Sequence, residues 1–181
     1  MPALLLLPGD IALTFSTSKL GRFIRWGERS RGEPASRVNH AALGVESPET
    51  IVEAAGKARR CSIWDYHLYD GIIVYRPLDL TAGQIAVIVA EAEKWPGRIY
   101  PVHQLIPFML DNKIFGGRHV FRRAMKFDPL AVCSRLVAIA YGKVGLTFGR
   151  VEPDPDDMDD YCRSHPKKYA LVYEQPIGGR T

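Results

Sequence analysis

The stretch Phe127-Asp128-Pro129-Leu130-Ala131-Val132-Cys133-Ser134-Arg135-Leu136-Val137 decides how the chain is read. It predicts a helix start with a cysteine near its first turns. Asp128 fits an N-cap, and Pro129 fits the first helical position, where a missing N–H does no harm. Cys133, Leu136, Val137, Ala140, Tyr141 and Val144 then recur at helical spacing and share one face. That face is apolar apart from the thiol and the Tyr141 hydroxyl, so it should pack inward. The partial positive charge of a helix N-terminus favours thiolate over thiol. The competing reading is that Cys133 is a small buried hydrophobe, as free cysteines commonly are. The helix alone does not choose between the two.

The rest of the chain sets bounds. Its 181 residues suit a single domain spanning 1–181. A chain of this size buries roughly 70% of its unfolded surface, enough for a core without staples. Hydrophobic residues make up 46% and charged residues 24%, ordinary values for a globular protein. A formal net charge of +4 permits an acidic partner without requiring one. The three cysteines, Cys61, Cys133 and Cys162, show no paired spacing, which points away from a zinc ribbon or redox pair and toward a reducing compartment. Leu4 to Leu7 is too short for a signal-peptide core, and no apolar run approaches the ~20 residues of a membrane span. The expected location is cytoplasmic, or outside the cell by a route without a cleaved signal.

In chain order, Pro8-Gly9-Asp10 is a turn and Ile11 to Phe15 alternates as a strand. Leu20, Phe23, Ile24 and Gly27 share a helical face. Val38 to Val45 reads as a strand, Glu46 to Glu49 as a turn, and Thr50 to Ala55 as a second strand of an antiparallel hairpin. Ile63-Trp64 is too short a run to assign. Gly71 to Arg76 is a β-branched strand ended by Pro77. Thr81 with Gln84 matches a capping box for a helix ending near Pro96-Gly97. The segment from Arg98 to Lys126 has no firm assignment. After the Cys133 helix, Pro153 to Asp160 is acidic and fits a helix start, where carboxylates meet the positive helix end. Tyr169 to Tyr173 reads as a last strand. The order is α+β, with mostly antiparallel strands.

Two polar residues stand out in those strands. His40 lies in an apolar strand, where alternation groups it with Val38 and Ala42. Glu53 alternates likewise with Ile51 and Ala55, and a carboxylate there is costly unless exposed or partnered. If the two strands pair, His40 and Glu53 can be neighbours on one sheet face. A base and an orienting acid then lack only a nucleophile, the set a cysteine hydrolase needs. The plainer readings are a structural histidine and an exposed edge glutamate. His40 and Glu53 precede Cys133, the reverse of the usual papain order, but only the geometry matters to the chemistry.

The ordered set of motifs resembles the circularly permuted branch of the NlpC-type papain-like cysteine peptidases and amidases, the YiiX/YaeF-like branch. It comprises Gly9-Asp10-Ile11, Ile24-Arg25-Trp26, His40 to Gly44, Ile51-Val52-Glu53-Ala54, Cys133-Ser134-Arg135-Leu136-Val137 and Pro155-Asp156-Asp157. It covers about residues 8 to 160. The resemblance implies a papain-like fold, with a small antiparallel sheet or barrel packed against a nucleophile-bearing helix. It assigns Cys133 as nucleophile, His40 as general base and acid, and Glu53 as the orienting residue. It also offers Tyr100 for the oxyanion; the family pattern commonly follows that Tyr with Asp, whereas Pro101 stands here.

The expected activity is a thiol hydrolase. Cys133 attacks an amide or ester carbonyl, His40 protonates the leaving group, and water clears the acyl-enzyme. Expected substrates are a peptide, another small molecule or an acyl group, such as a cell-wall peptide or a lipid-like amide, with no cofactor. Phe108, Met109 and Phe115 either line an apolar pocket or belong to the core. The alternative is a non-catalytic basic module for nucleic acid or an anionic surface. It would use Arg22, Arg25, Arg29, Arg31 and Arg37, then Lys57, Arg59 and Arg60, then Arg118, Arg122, Arg123 and Lys126. Acidic residues offset much of that charge, so nucleic acid is not the expected partner. A metal site from His40, Glu53, Cys133 and His103 fits no standard spacing. Oligomeric state is not legible.

Overall fold

The computed structural model describes residues 4–16, 37–55, 57–65, 69–99, 132–150 and 153–175. Six strands form one antiparallel sheet: β1 (Ile11–Ser16), β2 (His40–Glu46), β3 (Thr50–Ala55), β4 (Lys57–Ser62), β5 (Tyr69–Pro77) and β6 (Tyr169–Gln175). Their order is β4-β3-β2-β1-β5-β6. Among the described residues there are three α-helices: α1 (Ala82–Ala92), α2 (Val132–Gly142) and α3 (Pro155–Ser164). The class is α+β, and the sheet is open, with β4 and β6 at its edges. The barrel allowed by the sequence is therefore not what the described residues form.

Both faces of the sheet are covered. On one, Ile11, Leu13, Leu43, Val52 and Ile73 pack with Ile88 and Ala92 of α1 and with Leu136, Val137, Ala140 and Tyr141 of α2. On the other, Ala12, Ala42, Ile51, Ile72 and Val74 are closed over by Leu6 and by Ile63 of a 3₁₀ turn, Ile63–Asp65. This explains why the central strands carry apolar residues at nearly every position, a pattern usual when both faces are buried. The α2 face read from the sequence is the buried one, with Cys133, Leu136, Val137, Ala140 and Tyr141 all within the core and Val144 partly buried. The Asp128-Pro129 helix start lies outside the described residues.

Local signals set the helix ends. Thr81 and Gln84 form the reciprocal capping box on α1. Asp154 and Asp157 do the same for α3, with Pro155 in its first turn, so the acidic stretch is a helix start. The turn before β1 is held by buried Asp10, which accepts from the Leu7 amide at 2.8 Å. Arg76 on β5 donates to both Asp10 oxygens, at 2.9 and 2.8 Å, and to the Leu5 carbonyl.

Two sequence expectations need correction. β4 was not foreseen, because Lys57-Ala58-Arg59-Arg60-Cys61-Ser62 is a polar edge strand whose one fully buried residue is Ala58. Its strand character comes from pairing with β3, not from its own alternation. His40 is the first residue of β2 rather than a mid-strand residue. Alternation does not extend back to Val38, which packs in the α2-side core while Ala42 packs on the opposite face.

Gly44 is where the N-terminal segment crosses β2. A Cβ there would lie 2.6 Å from the Leu7 carbonyl oxygen and 3.1 Å from Leu6 Cγ. Gly44→Ala is expected to destabilise the fold by about 1–3 kcal/mol, the scale of overpacking against backbone. Urea unfolding checks this. An unchanged midpoint would show that segment 4–7 yields freely.

Candidate functional site

The register of β2 on β3 pairs Ala42 with Glu53, then Leu43 with Val52 and Gly44 with Ile51. Glu53 therefore shares the face of Ala42, and His40 is its diagonal neighbour, within reach of a long side chain. His40 Nε2 lies 2.8 Å from Glu53 Oε2. On the other side, β4 pairs Arg59 directly opposite Glu53, and Arg59 Nε donates to Glu53 Oε1 at 2.8 Å. The Glu53 side chain is wholly buried, that of His40 is 13% exposed, and that of Arg59 is 49% exposed.

Cys133 comes from α2, which packs against β2 and β3. The β2–β3 register runs to Ala42, and the Ala41 amide beyond it donates to the Cys133 sulfur. The Ser134 amide donates to the same sulfur, and so does the His40 imidazole. With Nε2 committed to Glu53, Nδ1 is the nitrogen left for the thiol. The imidazole thus bridges a buried sulfur and a buried carboxylate.

The electrostatics follow from this bridge. Burial alone pushes the His40 imidazole toward neutrality, but the Cys133 charge and hydrogen bond, then Glu53, raise its pKa from 6.5 to about 10. Burial likewise disfavours the Cys133 thiolate, yet the His40 charge and the Ala41 and Ser134 amides bring its pKa below the usual 9.0. Burial opposes the Glu53 charge as well, and the His40 and Arg59 hydrogen bonds hold it below the ordinary carboxylate range. All three shifts favour thiolate, imidazolium and carboxylate together.

The other two cysteines differ. Burial, then the Glu53 charge, pushes Cys61 up to about 12, and its thiol donates to Glu53. Burial and Asp159 push Cys162 up as well. Cys133 alone among the three is moved toward thiolate.

Of the sequence-predicted residues, Cys133, His40 and Glu53 come together. Tyr100 lies outside the described residues, as do His103, Phe108, Met109 and Phe115. Arg59 was read only as part of a basic cluster. The signal for it is opposite charge: Glu53 and Arg59 face each other in the β3–β4 register. The described arginines of the proposed basic surface are ion-paired: Arg37 with Glu174, Arg59 with Glu53, and Arg60 with Glu46 and Glu93.

A cavity of about 200 Å³, lined by Phe15, Arg37, Val38, Gly71, Ile73, Glu174 and Gln175, lies at the His40 end of the sheet. Neither this cavity nor a larger depression of about 540 Å³ beside α3 is lined by Cys133, His40 or Glu53. No group of three or more His, Cys, Asp or Glu among the described residues is placed to hold a metal ion. Both Glu53 oxygens are already engaged, so the described set does not fit a metal. None of the described helices is long and apolar enough to cross a membrane.

No family model and no curated protein matches the chain. Among solved structures, the fold is similar to the crystal structure of the metalloprotein YiiX (DUF1105) from Escherichia coli O157:H7. The TM-score is 0.55 at 14% identity, over 92% of this chain and 88% of that one. At this identity the likeness shows the fold alone.

The pKa shifts give opposite stability trends. The His40 contribution is full below pH 6.5 and is lost as pH climbs through about 10. The Cys133 contribution is full above pH 9.0 and is lost as pH falls through its depressed value. Iodoacetamide should therefore modify Cys133, and neither Cys61 nor Cys162, well below about pH 8, the range of an ordinary free thiol. His40→Ala should move that reaction to higher pH. Peptide mapping by mass spectrometry reads both, and equal labelling of all three cysteines would contradict the assignment.

Proposed function

We propose that the chain is a thiol hydrolase of the permuted NlpC-type, papain-like kind, acting as a single domain on an amide or acyl substrate. The observation that carries this reading is the buried contact chain Cys133–His40–Glu53, in which every shift favours the charged nucleophile. In this reading Cys133 attacks the substrate carbonyl and forms a thioester as the leaving group departs with a proton from His40. His40, neutral after that transfer, takes a proton from water, which attacks the thioester and releases the acid and the thiolate. Glu53 keeps the ring oriented and stabilises its cationic form. Tyr100 is the proposed oxyanion donor by resemblance.

The cavity at the His40 end supports an apolar element in the substrate. Phe15, Val38 and Ile73 give it apolar walls, and the Arg37–Glu174 pair adds a polar margin. A short acyl chain or an apolar side chain of a cell-wall peptide suits such walls. The ion-paired arginines favour this enzymatic reading over the basic binding module.

A panel of p-nitrophenyl acyl esters and peptide amides tests the proposal. Wild type should give a burst and a covalent adduct on Cys133 detectable by intact mass. Cys133→Ala should keep its circular dichroism spectrum and lose about a thousandfold or more in turnover, the scale for removing a nucleophile. An Ala variant as active as wild type would exclude the mechanism.

A further inference from the structure

The geometry points to Arg59 as a positioning residue: we propose that it holds Glu53 in its carboxylate form and orientation, so that Glu53 can fix the His40 ring against Cys133. This deepens the thiol-hydrolase reading and rests on it.

Glu53 is wholly buried, and one of its oxygens faces His40 while the other receives Arg59 Nε at 2.8 Å. A buried carboxylate can lower its cost by ionising against a cation or by taking up a proton. If Glu53 took the proton, its Oε2 would no longer be a full anion for His40 Nε2. The ring would then lose both its anchor and the charge that stabilises imidazolium. Arg59 prevents this from the edge of the sheet. It sits directly across from Glu53 in the β3–β4 register, and its guanidinium stays charged at any relevant pH.

Among the described residues, the titratable groups that face this pair are few. His40 approaches Glu53 from β2, and Arg59 and Cys61 approach it from β4. Cys133 approaches His40 from α2. Asp65, in the 3₁₀ turn, acts on Cys61. Cys61 remains a thiol through the neutral range, so it donates to Glu53 but brings no compensating positive charge. Arg59 is the cation on the side away from the ring. Its described hydrogen bond runs to Glu53 Oε1, so its effect on the thiol passes through Glu53 and His40.

The test is the pH profile of Cys133 alkylation by iodoacetamide in wild type, Arg59→Gln and Arg59→Lys. Circular dichroism and urea midpoints confirm the fold in each. Arg59→Gln keeps a hydrogen-bond donor but no charge. It should shift the profile to higher pH and slow neutral-pH alkylation roughly tenfold to a hundredfold, the scale for outer partners that orient a site. Arg59→Lys should recover part of that loss, because an ammonium restores the charge but cannot copy the Nε contact. A merely structural arginine would change the urea midpoint without moving the profile.

If Arg59→Gln does not fold, Arg59→Met, of similar length but without charge, takes its place: an upward shift is expected, and a profile identical to wild type overturns the proposal. If wild-type Cys133 is reactive at neutral pH and all profiles superimpose, the role of Arg59 is overturned while the hydrolase reading stands. If wild-type Cys133 is inert across neutral pH, both fall together.

Discussion

Glu53, one of three buried carboxylates among the described residues, constrains how the strands of this sheet can pair. Glu53 lies in the middle of a strand with no exposure to solvent, next to Val52 and Ala54 in the core. An uncompensated charge there would cost several kcal/mol even after relaxation. The compensation comes from two neighbouring strands at once: the first residue of β2 and the central part of edge strand β4. A one-residue slip in either register would turn those partners to the other face and leave the charge alone. The same group that orients His40 therefore also specifies how three strands pair.

The helix that carries the thiol is fixed at its far end. Tyr141, two turns after Cys133, buries its ring and donates its hydroxyl to the Gly9 carbonyl at 2.6 Å. Gly9 in turn donates to the Gly44 carbonyl, and its neighbour Asp10 is clamped by Arg76. The Gly9-Asp10-Ile11 segment thus joins α2 to β2 and β5. A parallel tie holds α3, where Tyr75 on β5 donates to buried Asp159 at 2.5 Å and Arg163 stands beside that carboxylate. α2 and α3 are thus each seated by apolar packing and registered by a buried polar contact. Such directional bonds select one position among the many that apolar contact alone would accept.

Most of the secondary structure was legible because its signals are local. Capping residues, prolines and helical periodicity are properties of neighbours in sequence, and they located α1, the body of α2 and the start of α3. The hairpin of β2 and β3 was legible from two apolar runs around Ser47-Pro48. β4 was not, since Lys57, Arg59 and Arg60 give an edge strand no apolar alternation to read. The position of His40 at a strand start was also hidden, because Val38 and Asn39 look as strand-like as Ala41 and Ala42.

Residue type alone singles out the candidates: a cysteine near a helix start, and a histidine and a glutamate in apolar strands, where bare polar groups are costly. Their relations come from the assembled fold. It brought the thiol to the end of the β2–β3 ladder, where the Ala41 amide meets the sulfur. It made Glu53 the diagonal partner of His40, and it set Arg59 across the sheet as the second partner of that carboxylate. The physical reason is that residue type is encoded position by position. Register, burial and the field at a titrating group arise only when strands distant in sequence settle their pairing together.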